Sequence, residues 1–352
     1  MTAPDGDQAY AIVVATRNRL AALQASIPLF FGQTRKAARL IVVDRSDDHG
    51  AVRAWLEGLA ATAPMPVAVI HGDKANLPHQ RNLGLAAVAE PVTLLPDDDS
   101  LWFPDTAARI MAVYDRDRAG RIGGVAGIGV AQSPLGSSAT PQNARRLVRE
   151  PRIERLRNRI EDRLAPQPFN LYARRRIAAL APALAREAPD LRPGETMSGW
   201  RMSFRTEPAR RLGFDAVLGS RVGYAQHEDK DMSLRMQKAG YLIVGAPGAR
   251  VFHNVHPGKR AGGFAYGFCW IFNYAYVCAK VFGAEPPGPA AVLHYLRYKV
   301  FLYGLRRGSA YTRDVAAGGR AALAEVPRLF AAPPGSLVDL YGAIADRHLP
   351  RR

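Results

Sequence analysis

Short runs of consecutive apolar residues alternate with longer mixed segments over the first 130 residues of the chain. The four clearest runs are Ala11–Ala15, Leu40–Val43, Val67–Ile70 and Val92–Leu95, and a glycine-rich fifth covers residues 123–130. Continuous apolar runs are typical of strands buried on both faces. Three intervening segments are long enough for helices: Leu20–Phe31, Ala51–Ala61 and His79–Ala89. This alternation predicts an α/β fold with a mostly parallel sheet covered by helices.

The pattern changes over residues 131–195. Residues 133–140 are small and polar and indicate a loop, and from Arg145 to Glu187 twelve arginines stand against five acidic residues. We expect a basic helical insertion here. Beyond it the sequence predicts a strand at Met197–Phe204 and helices near Glu207–Leu212 and Glu228–Ala239. Two further short strands, Tyr241–Val244 and Ala249–Phe252, are predicted on either side of a Pro-Gly turn.

The last ninety residues are aromatic and basic. Aromatic residues take every second position from Phe264 to Tyr276; this period is typical of a strand, but the length of the segment favours a helix. Asn273 and Lys280 interrupt the apolar run, which argues against a membrane span of roughly 20 apolar residues. The segment His294–Arg307 mixes aromatic and basic residues, a pattern that suits a helix at a membrane interface and equally suits a helix packed on the protein.

Composition narrows the class of protein. Of 352 residues 48% are apolar, so the chain has enough apolar material for a large core. Its two cysteines, Cys269 and Cys278, exclude a disulfide framework and a four-thiolate zinc site, and suit buried reduced thiols in a cytosolic protein. The N-terminal residues lack the features of a signal peptide. The net charge of +17 predicts an anionic partner: nucleic acid, an acidic membrane face or a phosphorylated small molecule.

Three consecutive carboxylates, Asp97, Asp98 and Asp99, follow the predicted strand Val92–Leu95 after a single proline. In open α/β sheets the carboxyl ends of the strands are where ligands bind. A divalent cation would relieve the repulsion among the carboxylates, and phosphate oxygens would complete its coordination. The alternative is a solvated acidic turn capped by Ser100.

Two other groups of polar residues bear on this chemistry. Glu228 and Asp229 begin a predicted helix, where carboxylates are favoured by the helix dipole; one of them could also act as a general base. His253 and His256 follow the last predicted strand. Either histidine is more often structural, but a neutral imidazole could complete a mixed oxygen and nitrogen metal site.

The order and spacing of these groups are more specific than any one of them. In chain order the motifs are Thr16-Arg17-Asn18-Arg19, Asp44-Arg45-Ser46-Asp47, Arg81-Asn82, Asp97-Asp98-Asp99, Ser198-Gly199-Trp200-Arg201, Glu228-Asp229 and His253. Over roughly residues 8–260 the chain resembles the family 2 glycosyltransferases, which are inverting enzymes of the GT-A fold. The resemblance implies a GT-A domain over residues 1–260, including the basic insertion at 131–195, and an aromatic and basic helical region over 261–352.

The resemblance also implies roles for individual residues. Asp99 and His253 would hold a divalent metal, Mn²⁺ or Mg²⁺, and Asp229 would be the catalytic base. Three residues would line the acceptor pocket: Gly199, Trp200 and Glu228. Seven would bind the nucleotide sugar: Thr16, Arg19, Asp44, Arg81, Asn82, Asp97 and Asp98. The donor would be a UDP-, GDP- or dTDP-linked sugar, and the acceptor a hydroxyl on a lipid-linked or small molecule.

The chain departs from the family pattern in two places. Trp200 and Arg201 replace small and amide residues, which predicts different acceptor recognition, and no Gln-x-x-Arg-Trp motif follows Glu228-Asp229, which argues against a processive synthase. We expect a cytoplasmic enzyme with affinity for the inner face of the cell membrane. Two alternatives are a basic nucleic-acid-binding protein, for which no recognised motif is present, and a metal-dependent nucleotidyltransferase, whose glycine-rich N-terminal loop is missing.

Overall fold

The N-terminal part of the molecule is built on one eight-stranded mixed sheet. The computed structural model describes residues 8–136, 159–219, 225–255, 262–305, 308–333 and 335–349. The strands are β1 (Tyr10–Thr16), β2 (Arg39–Asp44), β3 (Val67–His71), β4 (Val92–Leu95), β5 (Ser100–Trp102), β6 (Ile122–Val130), β7 (Met202–Arg205) and β8 (Leu242–His253). Their order in the sheet is β3-β2-β1-β4-β7-β6-β8-β5.

Helices cover the sheet and continue beyond it. Those of the N-terminal part are α1 (Leu20–Phe31), α2 (His49–Ala60), α3 (Leu77–Ala87), α4 (Thr106–Arg116), α5 (Pro168–Glu187), α6 (Thr206–Leu212) and α7 (Glu228–Lys238). Those of the C-terminal part are α8 (Gly263–Val281), α9 (Gly288–Leu305), α10 (Ala310–Ala331) and α11 (Leu337–His348). The predicted α/β fold with a C-terminal helical extension is confirmed.

The apolar strands form the centre of the core, as their composition predicts. Every residue of β1 and β4 is buried, and the two strands pair in parallel. Strands β2 and β3 continue the parallel half of the sheet, whereas β7 is antiparallel to both β4 and β6. One apolar cluster lies under α1, α2 and α4, and a second lies under α3, α6 and α7.

Two strand predictions are wrong in detail. The residues predicted as two strands around a Pro-Gly turn form the single strand β8, which runs parallel to β6. The pairing register shifts between Ala126 and Ile128, because the residues around Gly248 form an irregularity within the strand and do not reverse the chain. The strand predicted from Met197 begins only at Met202, since Gly199–Arg201 form a 3₁₀ turn.

The aromatic segment forms a helix, as predicted. Helix α8 is buried around most of its circumference, so its aromatic residues contact several neighbours and do not form one apolar face. Its backbone approaches α10 closely: a side chain at Gly267 would overlap the backbone of Val315. Cys269 and Cys278 lie in this helix as buried free thiols. Within the described ranges no helix is both long enough and apolar enough to cross a bilayer.

The basic insertion is only partly described. Residues 137–158, with the end of the predicted loop and the start of the arginine-rich segment, lie outside the described residues. Helix α5, which carries the rest of that segment, packs through Phe169 on Tyr274 of α8, with 3.8 Å between ring centroids. The insertion and the C-terminal helices therefore share one apolar cluster.

Candidate active site

The predicted site residues lie at one edge of the sheet. Strands β1, β2 and β4 are parallel, so Thr16, Asp44 and the acidic loop after β4 meet where these strands end. Strand β8 runs in the same direction, and its last residue, His253, pairs with Ser100 at the start of β5. This pairing places His253 beside the acidic loop. Residues from four strands are thus brought together by the topology of the sheet.

Two of the three residues of the acidic loop, Asp98 and Asp99, are buried, and Asp97 is partly exposed. Asp98 is only 3% exposed; it accepts a hydrogen bond of 2.7 Å from Thr16 Oγ1 and lies 2.8 Å from Arg19 Nη1. Burial raises the pKa of Asp98 to about 7 despite the opposing charge of Arg19, with the negative charge of Asp99 adding to the rise. Asp98 and Asp99 are 3% and 4% exposed, whereas a solvated turn would leave these carboxylates in contact with water.

Asp99 has the surroundings of a metal ligand. Its Oδ2 lies 2.6 Å from Arg19 Nη2, and its Oδ1 lies 3.2 Å from His253 Nε2. Burial opposes ionisation, but the contacts with His253 and Arg19 outweigh it and hold the pKa of Asp99 below its ordinary value. Oδ1 is buried and accepts no hydrogen bond of good geometry, so one carboxylate lone pair still lacks a partner.

Asp97 joins Asp99 and His253 in a group that fits a divalent cation. Each of the three offers a ligand atom, and these atoms lie within 4.8 Å of one another. Two carboxylate oxygens and one imidazole nitrogen form a mixed donor set of the kind that divalent cations use. The predicted ligands Asp99 and His253 thus lie together with Asp97 in a group that could hold a divalent cation.

Arg81 connects the acidic loop to the second acidic group. Its side chain is 2% exposed; Nη2 donates to Asp97 Oδ1 at 2.7 Å and Nη1 donates to Glu228 Oε1 at 2.9 Å. Burial and the neighbouring charge of Asp229 raise the pKa of Glu228 to about 7, although Arg81 opposes the rise. The two acidic groups, 130 positions apart in the sequence, are therefore parts of one site.

Asp229 lies at the first turn of α7, beside the 3₁₀ turn that precedes β7. Its Oδ2 accepts a hydrogen bond of 3.0 Å from the Gly199 backbone, and its Oδ1 accepts one of 2.8 Å from the Lys230 backbone. Lys230 Nζ lies 3.7 Å from Oδ2. These contacts hold the carboxylate in one orientation at the start of α7, beside the turn that contains Gly199.

The Trp200 side chain lies next to the metal-ligand group. Its ring stacks on the imidazole of His253, with 5.0 Å between centroids and 7° between planes. A side chain at Gly129 would come within 2.7 Å of the Trp200 ring, so the indole depends on a glycine in β6 for its position. The Trp200 carbonyl accepts a hydrogen bond from Ser100. The residue predicted to line the acceptor pocket thus contacts a predicted metal ligand directly.

Two predicted nucleotide-binding residues have protein partners of their own. The carboxylate of Asp44 is fully buried; it accepts hydrogen bonds from Ser46 and lies 2.7 Å from His49 Nδ1. Asn82 exchanges two hydrogen bonds with the backbone of Phe214, of 2.7 and 2.8 Å. Its amide therefore fixes the chain before α7, and the structure does not bring it to the metal-ligand group.

Sequence reasoning missed His227, the residue before Glu228. It has the left-handed backbone conformation, φ 70°, and its Nε2 lies 3.1 Å from the carbonyl of Trp270 in α8. Edge-on contacts with Phe169 and Tyr274 complete its surroundings. Burial lowers the pKa of His227 to about 4. The available signal was its position beside Glu228, but nothing in the sequence pairs it with α8.

The comparisons with known proteins bear on the family and the fold of the chain. Residues 11–174 match the model of the family "Glycosyl transferase family 2". The predicted resemblance to family 2 glycosyltransferases of the GT-A fold is thereby confirmed. A search of curated proteins finds no match to the chain.

Solved structures with the same fold are distant in sequence. A mannosyltransferase from Pyrobaculum calidifontis, PcManGT in complex with GDP-Man and Mn²⁺, is 14% identical with a TM-score of 0.53, and the alignment covers 99% of this chain and 89% of that one. GalNAc-T7 with UDP, GalNAc and Mn²⁺ is 13% identical with a TM-score of 0.55, and the alignment covers 97% of this chain and 54% of that one. Residues 1–349 of S. aureus TarS are 10% identical with a TM-score of 0.54, and the alignment covers 96% of this chain and 91% of that one. At these identities the likeness establishes the fold.

Proposed function

We propose that the protein transfers a glycosyl group from a nucleoside-diphosphate sugar to an acceptor hydroxyl with inversion. The single observation that carries the proposal is the connection made by Arg81. Its guanidinium bonds both Asp97, in the group that fits a metal, and Glu228, next to Asp229. An electrophile bound to the first group and a nucleophile activated by the second would meet in one site.

The donor is assigned to the edge formed by β1, β2 and β4. Asp97, Asp99 and His253 would hold Mn²⁺ or Mg²⁺, which neutralises charge on a diphosphate leaving group. Two similar structures, PcManGT and GalNAc-T7, were solved with Mn²⁺ and a nucleotide or nucleotide sugar, which supports this assignment. Thr16 and Asp44 are register partners in adjacent strands and would lie beside the nucleoside.

Asp229 is assigned as the general base. It would accept the proton of the acceptor hydroxyl while that oxygen bonds to the anomeric carbon. The bond from the same carbon to the diphosphate oxygen breaks, and the nucleoside diphosphate leaves with the electron pair. The Gly199 and Lys230 amides hold the carboxylate in one orientation, so the base is positioned before the acceptor binds. The absence of the Gln-x-x-Arg-Trp motif supports single rather than processive transfer.

A membrane-facing surface is assigned to α9. Arg297, Phe301 and Leu305 lie four residues apart on one side of this helix, and Phe301 and Leu305 are 61% and 57% exposed. Leu164, 58% exposed, lies alongside, since its carbonyl contacts His294. Exposed apolar side chains next to an arginine suit the interface of an anionic bilayer. We propose that this surface binds the cytoplasmic face of a membrane and gives access to a lipid-linked acceptor.

The test of the donor assignment is a thermal-shift panel of UDP, GDP and dTDP with and without Mn²⁺. One of the three should raise the Tm, and should do so strongly only with the metal. Nuclear magnetic resonance of the product from the matching nucleotide sugar would then give the anomeric configuration. If none of the three raises the Tm with Mn²⁺ present, the proposal fails. Salt-sensitive binding of nucleic acid in its place would favour the nucleic-acid-binding alternative.

A further inference from the structure

Arg201 differs from the other arginines of the site in its lack of a carboxylate partner. Arg19 and Arg81 are each bonded to two carboxylates. Within the described part of the chain, the guanidinium of Arg201 makes one hydrogen bond, from Nη1 to the carbonyl of Gly127 at 2.7 Å, and no ion pair. Its Nε is buried and bonded to nothing. Most of the five N–H donors of this guanidinium are therefore unused by the protein.

The position of Arg201 is set by Trp200 and by the turn that contains both. Arg201 Cζ lies 5.2 Å from the centre of the Trp200 ring, within the range of a cation–π contact. The same turn begins with Gly199, whose amide bonds to Asp229. Arg201 therefore lies two positions along the chain from Gly199, whose amide orients the proposed base Asp229. Burial lowers the pKa of Arg201, while the charge of Asp229 opposes that effect.

A partly buried guanidinium with unused donors is a binding site for an oxyanion. Planar N–H pairs match carboxylate and phosphate oxygens, and such charge-assisted bonds are among the strongest in proteins. The metal-ligand group is assigned to the donor diphosphate, and its nearest arginines are neutralised by Asp97, Asp98, Asp99 and Glu228. Arg201 is thus left for a different anion, and it belongs to the same turn as Gly199, whose amide bonds to the proposed base.

We propose that Arg201 and Trp200 form an acceptor subsite for an anionic group, a phosphate or a carboxylate, so that the acceptor is a negatively charged molecule. The inference rests on the proposed glycosyl transfer and narrows its acceptor class. It also gives a reason for the replacement of small and amide residues at these two positions. A neutral acceptor would leave the guanidinium without a partner in a partly buried place.

The test uses binding, because it does not require the natural acceptor. The protein is first saturated with Mn²⁺ and the nucleoside diphosphate that stabilises it, which blocks the donor diphosphate site. Glucose 1-phosphate, glucuronate and neutral glucose are then titrated, and tryptophan fluorescence and calorimetry are followed. We expect the two anions to bind at least about tenfold more tightly than glucose, the range for a charge-assisted hydrogen bond. Arg201→Gln should abolish that preference, and Arg201→Lys should retain part of it.

The controls separate this inference from the proposed function. Arg313→Gln, on α10, removes a positive charge elsewhere and should leave the preference unchanged. Nucleoside diphosphate affinity should be equal in wild type and Arg201→Gln; a loss there would assign Arg201 to the donor and overturn the proposal. Equal or absent binding of the three probes to wild type would overturn it as well, even where Mn²⁺-dependent nucleotide binding supports glycosyl transfer. If Arg201→Gln does not fold, the proposal is tested by the preference for anions over glucose in wild type and by its partial loss in Arg201→Lys.

Discussion

Arg81 Nη1 and Glu228 Oε1 lie 2.9 Å apart although 147 positions separate the two residues in the sequence. The pair is buried, and Arg81 also bonds to Asp97. A buried ion pair is costly to break because the remaining charge loses its partner in a place that water does not reach. The pair therefore fixes the distance between the loop that contains Asp97 and the start of α7, which carries the proposed base.

Replacement of Arg81 by alanine should reduce stability strongly. The buried carboxylate of Glu228 and the partly exposed carboxylate of Asp97 would lose their cation, which predicts a loss of about 3–5 kcal/mol in the free energy of unfolding. Glu228→Gln should cost less, because the pKa of Glu228 is already raised to about 7 and its neutral form is accessible. Urea unfolding measures both. Arg53→Ala, which breaks the exposed pair with Glu57, is the control and should cost no more than about 1 kcal/mol.

The pattern of apolar residues was enough to predict most of the sheet and the edge at which the site lies. Continuous apolar runs become buried strands wherever they occur, and the carboxyl ends of parallel strands converge. This is why Asp97–Asp99 could be placed at a ligand site. The bulge in β8 could not be predicted, because a Pro-Gly pair is compatible with both a reversal of the chain and an irregularity within a strand.

Side-chain partners were the part that sequence could not supply. The sequence predicts that Arg81 binds the nucleotide sugar; in the structure its guanidinium bonds to Asp97 and Glu228. Its position in α3 was correctly anticipated, but the partners come from long-range packing between α3, the β4 loop and α7. His227 shows the same limit, since its contacts with α8 depend on how the C-terminal helices dock.

Asp229→Asn should abolish transfer and leave nucleotide binding intact. The amide retains an oxygen for the Gly199 N–H but cannot accept a proton from the acceptor. The expected loss in turnover is roughly 10²–10⁴-fold, the usual contribution of a general base. Release of nucleoside diphosphate in the presence of acceptor measures turnover, and the thermal shift with nucleotide and Mn²⁺ measures binding.

Asp190→Asn is the matched control for this variant. Asp190 is an exposed carboxylate paired with Arg116, and its loss should change neither turnover nor nucleotide binding. Full transfer by Asp229→Asn would remove this residue from the reaction and leave the proposed base without support.

Removal of the metal should remove nucleotide binding together with activity. A chelator is expected to abolish the stabilisation by nucleoside diphosphate, and added Mn²⁺ should restore it. His253→Ala removes the only nitrogen ligand of the proposed set, so it should raise the Mn²⁺ concentration needed for half of the thermal shift by about tenfold or more. His79→Ala, which removes the histidine paired with Asp73, should leave the titration unchanged. Nucleotide binding that persists in chelator would argue against a metal at this site.

His227 should make the protein less stable in acid. Its pKa is about 4 in the folded protein against an ordinary value of 6.5, so the unfolded chain binds more protons between these values. The stabilisation is complete above pH 6.5 and is lost as the pH falls toward 4, by up to about 3 kcal/mol. Asp98 and Glu228, whose pKa values are raised to about 7, act in the opposite direction.

The contribution of His227 is therefore measured as a difference from His227→Asn. Asparagine tolerates the left-handed backbone of this position and does not titrate. Urea unfolding at pH 7 and pH 4.5 should show a larger loss of stability on acidification in wild type than in the variant. Equal losses would mean that His227 accepts a proton without disturbing its contacts with α8.

Vesicle flotation tests the surface on α9. We expect the protein to float with vesicles that contain an anionic lipid and to remain unbound with purely zwitterionic vesicles, because the attraction is partly electrostatic. Replacement of both Phe301 and Leu305 by glutamate should reduce the bound fraction at least about tenfold, since it removes two exposed apolar side chains and adds like charge to the lipid. Val338→Glu places one glutamate on α11, at an apolar residue that is 52% exposed, and the bound fraction of this variant should equal that of wild type. Flotation that is independent of anionic lipid, or equal loss in the control, would show that α9 does not face the membrane.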